Sequence, residues 1–250
     1  MNRTFVDVHH HILFGLDDGP KNPEGMKAMI DAACADEVRH IIATPHVTPG
    51  VAPFDKAAWT DALSQANAYC AEKGYALRIL GGAEIMYTEA AVRMLADGQI
   101  PTLAGTRFVL VEWPSRTPLP AVTGAVRNLA NAGFIPVMAH VERLRCFQGQ
   151  LDRLRQLKED FDVRVQLDAD AIPEHTPLFS RNTVPHLLRS GLADYVASDA
   201  HDTGERRIQM KTAYLRIRQR YGDELAEALT ETNPMEIIHA ATEEAQESGL

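Results

Sequence analysis

The feature that most constrains this chain is an alternation kept up from end to end. Short apolar runs rich in β-branched residues fall at 5–8, 41–44, 77–80, 108–111, 135–139, 163–167 and 195–198. Stretches with helical spacing lie between and after them at 24–36, 56–73, 88–97, 120–132, 151–159 and 183–190. Such a rhythm predicts repeated βαβ units and a parallel sheet. Seven units fit a closed or nearly closed barrel better than an open sheet, so the expected class is α/β with a barrel. Barrels of about 200–250 residues form one core, and residues 1–250 show no repeat, low-complexity tract or linker to divide them. The tail reads as helices at 209–221 and 223–230, divided at Gly222, and a last helix opened by Asn233-Pro234. The stretches 48–55 and 114–120 read as loops over one end of the barrel.

The residues just past the end of each run say more than any single motif. His9 and His11 come after the first, His46 after the second, Glu84 after the third, Glu112 after the fourth, His140 after the fifth, and Asp199 and His201 after the seventh. The positions 84, 112, 140 and 168 are each 28 residues apart, a reasonable length for one βα unit. In (β/α) barrels the carboxyl ends of the strands share one face, where active sites collect. Taken singly, each residue has an ordinary explanation: a turn carboxylate, a packed imidazole, a polar strand end. Taken together, a chance gathering of five histidines and three or four acids at strand ends is a poor account. Crowded carboxylates repel unless cations lie between them, so a site of two or three divalent ions is expected. His10 points away from His9 and His11 and reads as a packing or hydrogen-bonding residue. Asp17 and Asp18 form a turn before the first helix; their side chains should diverge, one shaping the turn and the other, Asp18 by preference, reaching the metals. His40, His175, His186 and His239 read as structural.

Composition narrows the classes further. With 25 Lys+Arg against 34 Asp+Glu the formal charge is −9, which disfavours nucleic acid as a partner. No stretch approaches the ~18 apolar residues of a membrane span, and the first residues lack a signal-peptide run. A cytoplasmic protein without direct membrane insertion is the expectation. Cys34, Cys70 and Cys146 are too scattered for a disulfide framework. His40, Ala76 and Asp152 stand six residues after them where a thiol phosphatase loop would need arginine.

At this point the chain resembles the PHP (polymerase and histidinol phosphatase) family through Asp7-Val-His-His-His11, Asp17-Asp18-Gly19, Thr44-Pro45-His46, Glu84, Glu112, His140 and Ser198-Asp199-Ala200-His201. More specifically it is similar to the bacterial capsule-regulating tyrosine phosphatases of the CpsB/YwqE type. Asp17-Asp18-Gly19-Pro20-Lys21, Gly82-Ala83-Glu84-Ile85-Met86-Tyr87-Thr88, Ile100-Pro101-Thr102-Leu103, His140-Val141-Glu142-Arg143 and Asn233-Pro234 carry that likeness over essentially the whole chain. The resemblance implies a distorted (β/α)7 PHP-type barrel with a three-metal cluster, commonly of manganese, with Fe, Mg, Co or Zn as alternatives. It implies His9, His11, Asp18, His46, Glu84, Glu112, His140, Asp199 and His201 as ligands, with Glu84 bridging. Arg143 and Arg206 would bind phosphate, although the doublet Arg206-Arg207 leaves open which of the two does so. Gln166-Leu167-Asp168 and the segment 169–182 depart from the family pattern, where a more Asn/Ser-like strand would be expected.

The activity so implied is hydrolysis of phosphotyrosine by a metal-activated water, regulating capsular or exopolysaccharide synthesis. The partner implied is the C-terminal tail of a membrane-associated tyrosine autokinase. Phe54, Tyr87 and Trp113 are candidate walls for the substrate ring, with loop packing as the ordinary alternative. Arg216, Arg218 and Arg220 form a basic stripe that reads as a solvated face, with docking of acidic phosphotyrosine tails as the alternative. The nearest rival is a histidinol-phosphate or other small-molecule phosphomonoester phosphatase of the same family.

Overall fold

The computed structural model describes residues 3–174 and 183–247. Its strands are β1 (Phe5–His10), β2 (Val38–Ala43), β3 (His46–Val47), β4 (Arg78–Gly81), β5 (Glu84–Met86), β6 (Phe108–Glu112), β7 (Ile135–Met138), β8 (Arg164–Asp168) and β9 (Tyr195–Ala197). Its helices are α1 (Pro23–Ala35), α2 (Lys56–Lys73), α3 (Ala91–Ala96), α4 (Leu119–Asn131), α5 (Leu151–Asp160), α6 (Val184–Arg189), α7 (Met210–Tyr221), α8 (Asp223–Glu227) and α9 (Met235–Glu247). Every pairing among these strands is parallel. One sheet runs β1-β2-β4 and the other β3-β5-β6-β7-β8-β9.

The two sheets are parts of one curled wall. Only Thr44 and Pro45 separate β2 from β3, and only Gly82 and Ala83 separate β4 from β5. Seven expected strands therefore become nine because two of them break, at a proline that has no N–H to give the ladder and at a glycine pair. Trp59 of α2 lies against that pair: a Cβ on Gly81 would stand 2.1 Å from its ring, and its Nε1–H donates to the Gly82 carbonyl at 3.2 Å. The wall returns to its start beyond β9, where Asp199 N–H donates to His9 O and His11 N–H to Ala200 O, both at 3.0 Å. The barrel expected from the alternation is what these hydrogen bonds close.

Val6, Val8, Ile42, Leu110, Val137 and Tyr195 form one apolar cluster with Ile237 and Ile238 of α9. Strands as far apart as β2 and β7 share it, so it occupies the barrel interior. A larger cluster lies between the wall and the outer helices, with Phe5, Ile41, Val109, Val165 and Val196 facing outward into it. Each fully buried side chain of this kind contributes about 1.5–3 kcal/mol.

Helix boundaries reflect local chemistry. Asn22 caps α1 by accepting from Gly25 N–H at 2.9 Å, with Pro23 at the first helical position. Asp55 caps α2, and Gly74 ends it in the left-handed conformation at φ 67°. Two expectations shift slightly. Helix α4 begins at Leu119, inside the stretch read as a loop, and the helix placed at 223–230 ends at Glu227 and continues as a π-turn over Ala228–Thr232. His175 and the rest of 175–182 lie outside the described residues. Among the described residues, no helix is long and apolar enough to cross a membrane.

Candidate metal centre

The nine side chains singled out as ligands come from the ends of six strand lines and the loop after β1, and all nine meet at the carboxyl end of the barrel. They fall into overlapping groups whose nitrogen and oxygen atoms lie within 4.8 Å of one another: His9, His11, Glu84 and Asp199; His11, Asp18, His46 and His201; His46, Glu84 and Glu112. A fourth group joins His140 and Asp199 to Asp168, a residue outside the expected set.

Second partners fix the imidazoles. The Asp17 carboxylate accepts from His11 Nδ1–H at 2.6 Å. The Asp199 carbonyl accepts from His201 Nδ1–H at 2.8 Å, and Asp168 Oδ1 accepts from His140 Nδ1–H at 2.6 Å. Gln166 Oε1 accepts the backbone N–H of His140 at 3.1 Å, so it is the amide oxygen, and His9 Nδ1 at 3.3 Å must be its second donor. With Nδ1 protonated in all four rings, each Nε2 presents a lone pair to the interior.

Those lone pairs face partners with nothing to donate. His9 Nε2 and His11 Nε2 are 3.1 Å apart. Glu84 Oε2 stands 3.2 and 3.3 Å from the same two atoms, and Asp199 Oδ1 stands 3.4 Å from each. His201 Nε2 faces Asp18 Oδ1 at 3.1 Å, and His140 Nε2 faces Glu84 Oε1 at 2.9 Å. Glu84 Oε2, Asp199 Oδ1 and His201 Nε2 are buried and make no hydrogen bond. Buried acceptors gathered around a common space are costly. A divalent cation, for which neutral imidazole and carboxylate are the natural donors, removes that cost, and the residues present fit one.

Without a cation, protons must do the neutralising. Burial opposes charge on His11, but the carboxylates of Asp17, Asp199 and Glu84 beside it outweigh that and hold its pKa well above the ordinary value. At His140, burial is likewise outweighed by Asp168 and Glu84. His46 is raised to about 10 by Glu112 and Glu84 against its partial burial. Burial alone would raise the Glu84 carboxyl; His9, His11, His140 and His46 together hold it well below its usual range. Burial and the neighbouring His11 push His201 down to about 4.

The Asp17-Asp18 pair diverges as expected. Asp17 is nearly buried, accepts from Gly19 N–H at 2.9 Å and His46 N–H at 3.1 Å, and is held to about 2 despite burial by its bond to His11. A Cβ on Gly19 would stand 2.4 Å from the His11 carbonyl, so only glycine lets this loop fold back. Asp18, 55% exposed, instead directs its carboxylate to His201, His46 and Arg206. His140 and Asp199 both have φ of 51°, the left-handed region, where non-glycine residues concentrate at functional sites.

Both expected arginines reach the same mouth, each about half exposed. Arg143 Nη2 is 3.2 Å from Asp199 Oδ2 and also pairs with Asp168. Arg206 Nη2 is 3.2 Å from the same Asp199 oxygen, and its Nη1 donates to Asp18 Oδ2 at 2.9 Å. Arg207 turns away to the Gly204 carbonyl at 3.3 Å.

Of the other residues named from the sequence, the aromatic ones are absorbed by packing, while Arg218 and Arg220 stay exposed as a solvated face requires. His10 is fully buried with neither ring nitrogen bonded. Phe54 lies edge-on to Trp59, and Trp113, 8% exposed, belongs to the core, with Tyr87 beside it. Arg216 donates to the Ile172 carbonyl, Arg218 pairs with Asp223, and Arg220 lies over Tyr221. His40, His186 and His239 sit on β2, α6 and α9.

A family model described as capsular polysaccharide synthesis, CpsB/CapC, matches residues 5–239. Tyrosine-protein phosphatase CpsB of Streptococcus pneumoniae is 31% identical over 238 residues, covering 93% of this chain and 98% of the relative. Tyrosine-protein phosphatase YwqE of Bacillus subtilis (strain 168) is 31% identical over 229 residues, covering 90% of this chain and 89% of the relative. A solved chain described with YwqE and CpsB as metal-dependent tyrosine phosphatases superposes with TM-score 0.79 at 28% identity, over 95% of this chain and 92% of that one. The lactonase Lmo2620 from Listeria monocytogenes, at 13% identity and TM-score 0.53 over 93% of this chain and 94% of that one, shares the fold alone.

Proposed function

Since this chain belongs to the CpsB/CapC family, we propose that it is a metal-dependent protein-tyrosine phosphatase acting in capsular or exopolysaccharide synthesis. The observation that carries this reading is the pair of imidazole lone pairs, His9 Nε2 and His11 Nε2, 3.1 Å apart over two buried carboxylates. In this reading His9, His11, Asp18, His46, Glu84, Glu112, His140, Asp199 and His201 would hold two or three divalent ions, manganese by preference. When bound, such ions activate water at neutral pH and offset charge on the phosphoryl oxygens.

The rest is the work of this chain. Asp17 keeps the proton of His11 on Nδ1, so Nε2 stays a donor of its lone pair. Gln166 does the same for His9, and the Asp199 carbonyl for His201. Arg143 and Arg206, which share Asp199 Oδ2 in the absence of substrate, present bidentate N–H groups to the phosphoryl oxygens. The departing phenolate has a conjugate-acid pKa of ~10, so hydrolysis needs less help from a general acid than an alkyl ester would.

Residues 1–250 are taken as one barrel domain with its C-terminal helices. The substrate proposed is a phosphotyrosine protein in the cytoplasm, the tail of a membrane-associated tyrosine autokinase. The test is metal-stripped protein reloaded with Mn, Mg, Fe, Co or Zn and assayed on phosphotyrosine peptide, phosphoserine peptide and histidinol phosphate. Metal-dependent turnover greatest on phosphotyrosine supports the reading; a strong preference for histidinol phosphate, or full activity without metal, overturns it.

A further inference from the structure

Strand β8 supplies none of the nine residues assigned to the metals, yet its inward side chains, Gln166 and Asp168, are 0% and 1% exposed against them. Gln166 Nε2 donates to Asp168 Oδ1 at 3.1 Å, and that oxygen also accepts His140 Nδ1–H at 2.6 Å. The second carboxylate oxygen, Oδ2, pairs with Arg143 Nη2. The Asp168 backbone is held as well, its N–H donating to Glu142 Oε1 at 3.2 Å. One buried carboxylate thus touches the imidazole of the cage on one side and the guanidinium at the mouth on the other.

We propose that Asp168 is a positioning residue that joins the two halves of the site. Oδ1 fixes the tautomer and ring plane of His140, and Oδ2 docks Arg143 where it meets a phosphoryl group. This inference rests on the phosphatase reading above. A carboxylate behind a ligand histidine is worth about 10–100-fold in metal affinity or activity. The docking of a half-exposed arginine is worth less, about two- to fivefold, as for other solvent-accessible ion pairs. The two oxygens therefore carry effects of different size, which substitution can separate.

In Asp168→Ala both contacts are lost. In Asp168→Asn the amide oxygen still accepts from His140 and Gln166, while the amide NH2 group faces Arg143 in place of an anion. The experiment compares metal retained per chain after dialysis against a chelator, KM and kcat on a phosphotyrosine peptide, and circular dichroism as a check on folding. Asp168→Ala is expected to lose metal affinity about 10–100-fold, and Asp168→Asn to retain it. Asp168→Asn is expected to raise KM about two- to fivefold in the native background and to leave KM unchanged when Arg143 is already Ala. If Asp168→Ala fails to fold, Asp168→Asn with and without Arg143→Ala still decides the docking claim. Metal retention in folded Asp168→Ala equal to the native protein, loss of metal in Asp168→Asn, or the same KM shift in both backgrounds overturns the inference. Should the native enzyme prove inactive on phosphotyrosine, the phosphatase reading falls. Metal retention and the binding of inorganic phosphate to the metal-loaded variants would then test Asp168 independently.

Discussion

The two ends of the barrel are built from the same residue types and use them in opposite ways. At the amino end of the strands, Arg164 forms a two-pronged pair with Glu236, Nε to Oε1 at 2.7 Å and Nη2 to Oε2 at 3.0 Å. Tyr195 O–H donates to the same carboxylate, Lys158 pairs with Asp194, and Arg3 Nη1 reaches Glu227 at 2.6 Å and Glu231 at 3.1 Å. Every one of those acids faces a donor. At the carboxyl end, Glu84, Asp199 and Asp18 face imidazole lone pairs, and the buried oxygens Glu84 Oε2 and Asp199 Oδ1 have no hydrogen bond. One end is electrostatically closed by the chain itself, and the other closes only when cations enter. Both charge clusters thus bear on stability but only one on function, and perturbations should sort accordingly.

The largest separation is expected from metal removal or Glu84→Gln. Either should abolish turnover. Because an ion at 1,000 times its dissociation constant adds about 4 kcal/mol of stability, chelation should lower the melting temperature by roughly 10 °C, at about 2–4 °C per kcal/mol for a chain of this size. A chelated enzyme that keeps its activity would erase the contrast. Next, Arg143→Ala should lower kcat/KM by about 10²-fold, the usual scale for one donor to transition-state charge, with metal content by elemental analysis unchanged. Loss of metal in that variant would move Arg143 from the phosphate to the cage.

Glu236→Ala tests the closed end. It strands Arg164 and the buried Tyr195 hydroxyl, so the cost is about 1–3 kcal/mol, a fall of roughly 3–9 °C, with turnover within about twofold of native. A subtler probe is pH. In metal-free protein His11 and His140 lie well above the usual imidazole value of 6.5, and His46 lies at about 10. Folded values raised above unfolded ones stabilise fully below pH 6.5, and the benefit fades as pH climbs through the folded values. The melting temperature of the stripped protein should therefore drop between pH 7 and 10, and metal loading at pH 8 should release protons, detectable in weakly buffered indicator solution. Absence of proton release would mean that the imidazoles are already neutral. The smallest effect belongs to Arg218→Ala, whose exposed pair with Asp223 contributes under about 1 kcal/mol.

The barrel is legible in the sequence because β-branched runs and helical spacing are local signals, and ligand types at run ends become visible once those runs are placed. The two strand breaks are not legible, since Thr44-Pro45 and Gly82-Ala83 interrupt pairing only in relation to neighbours far along the chain. Asp168 does not stand out as a site residue although it lies 28 residues after His140, the same step that links Glu84, Glu112 and His140. It reads as a departure from the family pattern, and its link to Arg143 depends on a 3-10 turn at Val141–Arg143 that sequence spacing does not reveal. The partners of Asp17 are equally hidden, because they require the loop to fold back over Gly19.

The left-handed residues His140 and Asp199 carry one more consequence. Most side chains other than glycine lose about 1–2 kcal/mol in that conformation, while aspartate and asparagine tolerate it. Asparagine at position 199 would keep the backbone bend and discard the anion, so this part of the rim owes its shape to the main chain and its charge to a single side chain.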